Sequence, residues 1–119
     1  MDLLRMVCKA HLLYAKSLLL RRRLKAAVQL YRATLQQLER LVGLLNNKTL
    51  MSVYPHSVSA KRTDAALLLL VVYLDLAHCY QLGGKLGETL LCAGEAEELS
   101  SLYFSDHPPT RLPVNRFYS

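Results

Sequence analysis

Residues that interrupt helices are scarce in this chain, and their positions leave two long stretches free to be helical. Its 119 residues include four Pro and five Gly, concentrated around Gly83-Gly84 and Pro108-Pro109. Leu dominates, and with Ala and Arg it supplies strong helix formers. At 52% hydrophobic the chain is too apolar to be disordered. Its length fits one domain with a core that is thin if the shape is elongated.

Apolar spacing predicts four helices. The first runs from Asp2 to Leu20, with Leu4, Val7, Cys8, His11, Ala15, Leu18 and Leu19 on one stripe. Arg21-Arg22-Arg23 follow, where cations complement a helix C-terminus and solvate a tight turn. The second helix runs from Leu24 to Asn46, with Ala27, Leu30, Tyr31, Thr34, Leu35, Leu38, Val42 and Leu45 inward. Residues 47–62 are polar, contain Pro55 and hold no period, which predicts a loop. Thr63 or Asp64 is the expected cap of a third helix ending at Leu82, and Ala65–Leu74 is apolar almost all round. Gly83-Gly84 supplies its left-handed stop. The fourth helix runs from Lys85 to Leu102, with Leu86, Leu90, Leu91, Ala93, Ala96 and Leu99 expected inside.

The expected architecture is therefore all-α, in a single domain of two antiparallel helical hairpins. Residues 1–46 form the first, 63–104 the second, and 47–62 the long loop between them. Residues 105–119 are a tail or the start of a further repeat, with the break at Ser105–Pro109.

The hairpins share a register. Ala15, Leu18, Ala27, Tyr31 and Thr34 correspond to Ala77, Tyr80, Thr89, Ala93 and Ala96, each 62 residues later (77 − 15). Small residues at such positions let paired helices approach, and larger ones fill the groove between them. These positions, with Gly84, resemble the small–large–glycine–small–aromatic–small signature of the tetratricopeptide repeat. Arg22 stands where that family commonly has Gly, Ala93 where it has an aromatic, and no Pro directly follows either unit. A tandem array would space its units by about 34 residues. The resemblance implies a fragment of a right-handed solenoid with a long inter-repeat loop, and a role in binding proteins.

Within that family, Ser17, Leu18, Ala27, Val28, Tyr31 and Leu35-Gln36-Gln37, then the insert, then Ala77, Cys79 and Tyr80, resemble the N-terminal region of a tetratricopeptide subunit of the anaphase-promoting complex. The tail segment TRLPVN fits loosely. The resemblance implies a structural, dimerising subunit of a nuclear ubiquitin ligase that controls the cell cycle.

Charge is divided along the chain. Residues 1–62 carry twelve Lys or Arg against two acids, and residues 63–119 carry three against seven, so +10 and −4 sum to +6. A basic half joined to an acidic half suggests electrostatic docking to a partner or head to tail. The strongest candidate for an anion or partner contact is Lys16, Arg21, Arg22, Arg23 and Lys25. The competing reading is a small basic domain that binds nucleic acid or acidic ligands through its N-terminal half. Against nucleic acid stand the lack of aromatic residues among the cations and of any recognisable binding motif.

Catalytic chemistry finds little support. Asp75 and His78 share a helix face, but His78 and Cys79 point about 100° apart, so the imidazole does not serve the thiol. Cys8 and His11 could offer two metal ligands where zinc takes four. Glu88, Glu95, Glu97 and Glu98 read as a solvated acidic face, and Gly83-Gly84 lacks the Lys-Ser or Lys-Thr of a phosphate loop. No enzyme activity, metal or cofactor is expected. Three cysteines, at 8, 79 and 92, lie in apolar helical pattern, which fits the cytoplasm or nucleus. The start is interrupted by Arg5 and Lys9 before an apolar run forms, against a signal peptide. Ala65–Leu74 is too short to span a bilayer of about 30 Å, so no membrane is expected. The predicted partners are proteins, through homodimerisation or docking onto further tetratricopeptide subunits.

Overall fold

The computed structural model describes residues 2–46 and 55–104, and within them the chain is all-helical. Helix α1 spans Asp2–Leu20, α2 Leu24–Leu45, α3 Pro55–Leu82 and α4 Leu86–Phe104. They stack in chain order. Helix α2 packs between α1 and α3, α3 packs between α2 and α4, and α1 meets α3 only over a short stretch.

Two turns set the hairpins, and they are built alike. In the first, the amides of Arg21, Arg22 and Arg23 donate to the carbonyls of Ser17, Leu19 and Leu18. In the second, those of Gly83, Gly84 and Lys85 donate to Cys79, Gln81 and Tyr80. Every donor and acceptor is displaced by the same 62 residues. Gly84 takes the left-handed φ of 75° that the sequence anticipates, and Arg22 takes φ 63° with no glycine to relieve it.

The expected loop is wrong from residue 55 onward. Helix α3 starts at Pro55 rather than at a Thr63 or Asp64 cap. Proline suits a first helical turn, where its missing N–H leaves no partner unsatisfied. The following polar run contains no breaker, so loss of period did not mean loss of helix. A tertiary contact lies at its C-terminal end, where the Arg62 guanidinium is 5.7 Å from the centre of the Tyr103 ring on α4. Asp64 lies inside the helix and forms an ion pair with Arg5 of α1. Residues 47–54 of the expected loop and the 105–119 tail fall outside the described residues.

The main core joins Cys8, Leu12, Ala15, Leu18 and Leu19 of α1 to Ala27, Tyr31 and Leu38 of α2 and Leu69, Val72, Leu76 and Cys79 of α3. Leu12 and Leu41 are buried although they were not assigned to the stripes, and Val7 lies outside. The larger departure is on α4. Leu86, Leu90 and Leu91 were expected inside, and all three are exposed, Leu86 and Leu91 at 69% and 71%. Thr89, Ala93, Ala96, Ser100 and Phe104 face α3 instead. Thr89, Ala93, Ala96 and Ser100 are small, which admits a close approach of α3 and α4, and Phe104 fills the contact near the end of the helix. The buried Thr34 and Thr89 hydroxyls are satisfied within their own helices, donating to the carbonyls of Leu30 and Lys85 at 2.8 Å.

Helix α3 is long and apolar enough to cross a membrane by length and composition, which the ten-residue run alone did not suggest. It is also buried on two sides, with Ala65, Leu69, Val72 and Leu76 toward α2 and Ala66 and Leu70 toward α4. Two apolar sides are what packing between two neighbours requires, and the remaining side leaves Leu67 and Val71 exposed.

Candidate interaction surfaces

The residues that align the two hairpins are almost all interior. Ala15, Leu18, Ala27, Tyr31 and Thr34 are buried in the first, and Ala77, Thr89, Ala93 and Ala96 in the second. Tyr80 is half-buried, and Gly84 is exposed at its turn.

Asp75 ties three helices together. Its Oδ2 accepts the Tyr31 hydroxyl of α2 at 2.7 Å, and its Oδ1 meets Lys16 Nζ of α1 at 3.4 Å. Burial, and then the Asp75 carboxylate, push the Tyr31 phenol far above its ordinary range. A second phenol–carboxylate pair lies along the same contact: Tyr73 of α3 donates to Glu39 of α2 at 3.2 Å. Burial, then the Glu39 charge, likewise push Tyr73 upward. Both phenols therefore stay neutral and act as donors.

The Asp75, His78 and Cys79 sequence does not form a catalytic group. Asp75 is committed to Tyr31 and Lys16, His78 is exposed, and Cys79 is buried with its thiol pushed up to about 11 by burial and then by Asp75. A thiolate nucleophile needs the opposite shift. The Cys8 thiol lies 3.8 Å from Gln37 Oε1. Among the described residues no cluster of three His, Cys, Asp or Glu could hold a metal.

Two members of the basic set line different grooves. Lys16 lines a groove of about 400 Å³ between α1 and α3, with Lys9, Leu13, Val71 and Asp75. Lys25 lines a second, also about 400 Å³, between α2 and the end of α3. Arg21, Arg22 and Arg23 lie exposed on the turn. The second groove gathers cations that the patch did not include: Arg32 and Lys85 join Lys25 over an apolar floor of Leu24, Val28, Cys79 and Tyr80. The signal for Arg32 was present, since it follows Lys25 by seven residues on one helical face. Lys85 is the counterpart of Arg23 in the repeated turn.

The largest uncovered features are apolar. Leu3, Met6, Val7, Leu13, Tyr14 and Leu20 are exposed along α1, and Leu86, Leu90, Leu91 and Leu102 along α4. These are the first and last helices of the stack. Fully covering an exposed leucine is worth about 1.5–3 kcal/mol, so both ends favour a neighbour. No family model matches the chain, and neither a curated protein nor a solved structure matches it.

Proposed function

We propose that this protein is a non-catalytic scaffold for protein–protein interaction, tetratricopeptide-like in its hairpins, and that it self-associates. The observation that carries this reading is the uncovered apolar surface on both terminal helices of the stack, more extensive than the exposed Leu44, Leu67, Val71 and Leu82 of the inner ones. Repeat units need neighbours to bury a continuous core. The two turns with matching hydrogen bonds and the buried small residues at matching positions support the tetratricopeptide assignment, which would make the stack a fragment of a right-handed solenoid. Size-exclusion chromatography with light scattering tests self-association. A mass above the monomer at micromolar concentration supports it, and a well-folded monomer opposes it.

On the resemblance of residues 17–37 and 77–80, we assign the protein as a structural subunit of the anaphase-promoting complex, akin to the N-terminal region of its subunit 7, acting in the nucleus or cytoplasm. Affinity purification of the tagged chain from cells should then recover other subunits of that ubiquitin ligase, and their absence would remove the assignment. A second reading takes the protein as a binder of acidic ligands or nucleic acid. The groove lined by Lys25, Arg32 and Lys85 favours acidic ligands. Salt-sensitive binding of an acidic peptide or random duplex would support this second reading.

A further inference from the structure

The groove between α2 and the end of α3 has two properties that an occupant must match. Its floor is apolar: Leu24, Val28 and Tyr80 are half-buried there, and Cys79 is buried. Its rim is basic: Lys25, Arg32 and Lys85 are exposed around it, and no Asp or Glu lines it. None of these three cations enters an ion pair among the described residues, whereas Arg5 and Lys16 are paired with Asp64 and Asp75.

The rim charge is not evenly placed. Helices α2 and α3 run antiparallel: Ala65 meets Leu41 and Leu45, and Leu24 shares the groove with Gly83. The start of α2 therefore lies beside the second turn, which puts Lys25 and Lys85 at one end. Arg21-Arg22-Arg23 directly precede that end, and Arg23, the N-cap of α2, gives the helix no side-chain acceptor. Arg32 lies two turns further along α2, about 10 Å away along the axis. Acids border it there: burial and then Glu95 raise the Cys92 thiol, Arg32 lowers it, and Glu88 raises it again. Positive potential is thus greatest at the turn end, beside Leu24 and Tyr80.

This combination selects the occupant. A nucleic-acid strand is met by cations that track its backbone and by aromatic faces on which bases stack. Here the floor holds one half-buried tyrosine among aliphatic side chains and a thiol. A volume of about 400 Å³ is at the small end of the range for binding sites and suits a few side chains. An acidic segment carrying an apolar residue complements both floor and rim.

Resting on the reading of this groove as an acidic-ligand site, we infer that it receives an acidic peptide segment of a partner protein, with one apolar side chain seated on Leu24, Val28 and Tyr80 and the carboxylates beside it facing Lys25 and Lys85.

Fluorescence anisotropy of a short fluorescein-labelled peptide, a leucine between runs of glutamate, tests this on the whole chain. Replacing that leucine by serine should weaken binding about tenfold. Lys25→Glu combined with Lys85→Glu should do the same. An acid at either position complements the helix that starts there, so the fold is retained, as circular dichroism should show. Lys9→Glu combined with Arg40→Glu makes the same change in net charge outside this groove, and should alter affinity less than about twofold. A serine peptide that binds as tightly as the leucine one, or equal losses in the two double variants, would overturn the inference and leave the acidic-ligand reading standing. Preference for a random duplex, lost on reversal of Lys25 and Lys85, would give the groove to nucleic acid. Self-association lost in the same variant, with no peptide bound, would give it to the acidic α4 of a second copy; either result overturns the inference. No binding of peptide or duplex at low salt would overturn it together with the acidic-ligand reading.

Discussion

Arg22 and Gly84 occupy the same place in the same turn, 62 residues apart, and both hold a left-handed φ, 63° and 75°. An L-residue other than glycine meets its own carbonyl in that conformation, at a cost of about 1–2 kcal/mol. Glycine avoids the clash but loses more chain entropy on folding. Arg22→Gly should therefore stabilise the protein by about 0.5–1 kcal/mol, and Gly84→Ala should destabilise it by a similar amount. Urea midpoints of the two variants check the pair of opposite signs.

Tyr31 is fully buried and its hydroxyl reaches a carboxylate, so its deletion should be felt. Tyr31→Phe should cost about 1.5–3 kcal/mol, the usual worth of a hydrogen bond to a charged group. Lys16 contacts the other oxygen of Asp75 from half-exposed space at 3.4 Å. Lys16→Ala should change stability by less than about 0.5 kcal/mol. Equilibrium unfolding of both variants separates the two contacts to one carboxylate.

Stability should fall in alkali. Burial raises the folded-state pKa of Cys79 from an ordinary 9.0 to about 11, so the unfolded chain gives up that proton first. The unfolded state then binds fewer protons, and rising pH favours it. The contribution of Cys79 is complete below about pH 9 and is lost as pH rises through about 11. Tyr31 and Tyr73, also raised, extend the fall above their ordinary 10.0. Urea midpoints measured across this range should decline, and Cys79→Ala should flatten the part between 9 and 11.

Asp64 lies within helix α3 rather than at its N-cap, and its ion pair with Arg5 is about half-exposed. Asp64→Ala should therefore shift stability by no more than about 0.5 kcal/mol, whereas loss of a true N-cap costs about 1. Thermal or urea unfolding decides between the two.

Ala77 has no exposed surface, and it lies where α3 meets its neighbours. Ala77→Leu should cost about 1–3 kcal/mol by overpacking. Ala26→Leu, on the exposed side of α2, should be close to neutral. A comparison of the two midpoints reads the close approach of the helices directly.

The local features were legible from residue order because their causes are local. The first helix has the bounds its period predicts, the second ends one residue early, and Gly84 supplies the left-handed stop. The shared register of Ala15, Ala27 and Tyr31 with Ala77, Thr89 and Ala93 reappears as two turns with matching hydrogen bonds. Backbone sterics, apolar period and a glycine's freedom act within a few residues, so the chain declares them by itself.

What lies between helices was decided by tertiary structure. Residues 55–62 have no apolar period, yet they are helical beside a contact from Arg62 to Tyr103. Leu86, Leu90 and Leu91 satisfy an amphipathic pattern, yet they are exposed, and Thr89, Ala93, Ala96, Ser100 and Phe104 are buried in their place. The basic residues near the first turn form a run in sequence, yet Lys16 and Lys25 line different grooves. Period reports that a helix has an apolar side. Which of two apolar sides is buried depends on the distance to a neighbour, and residue order does not contain that distance.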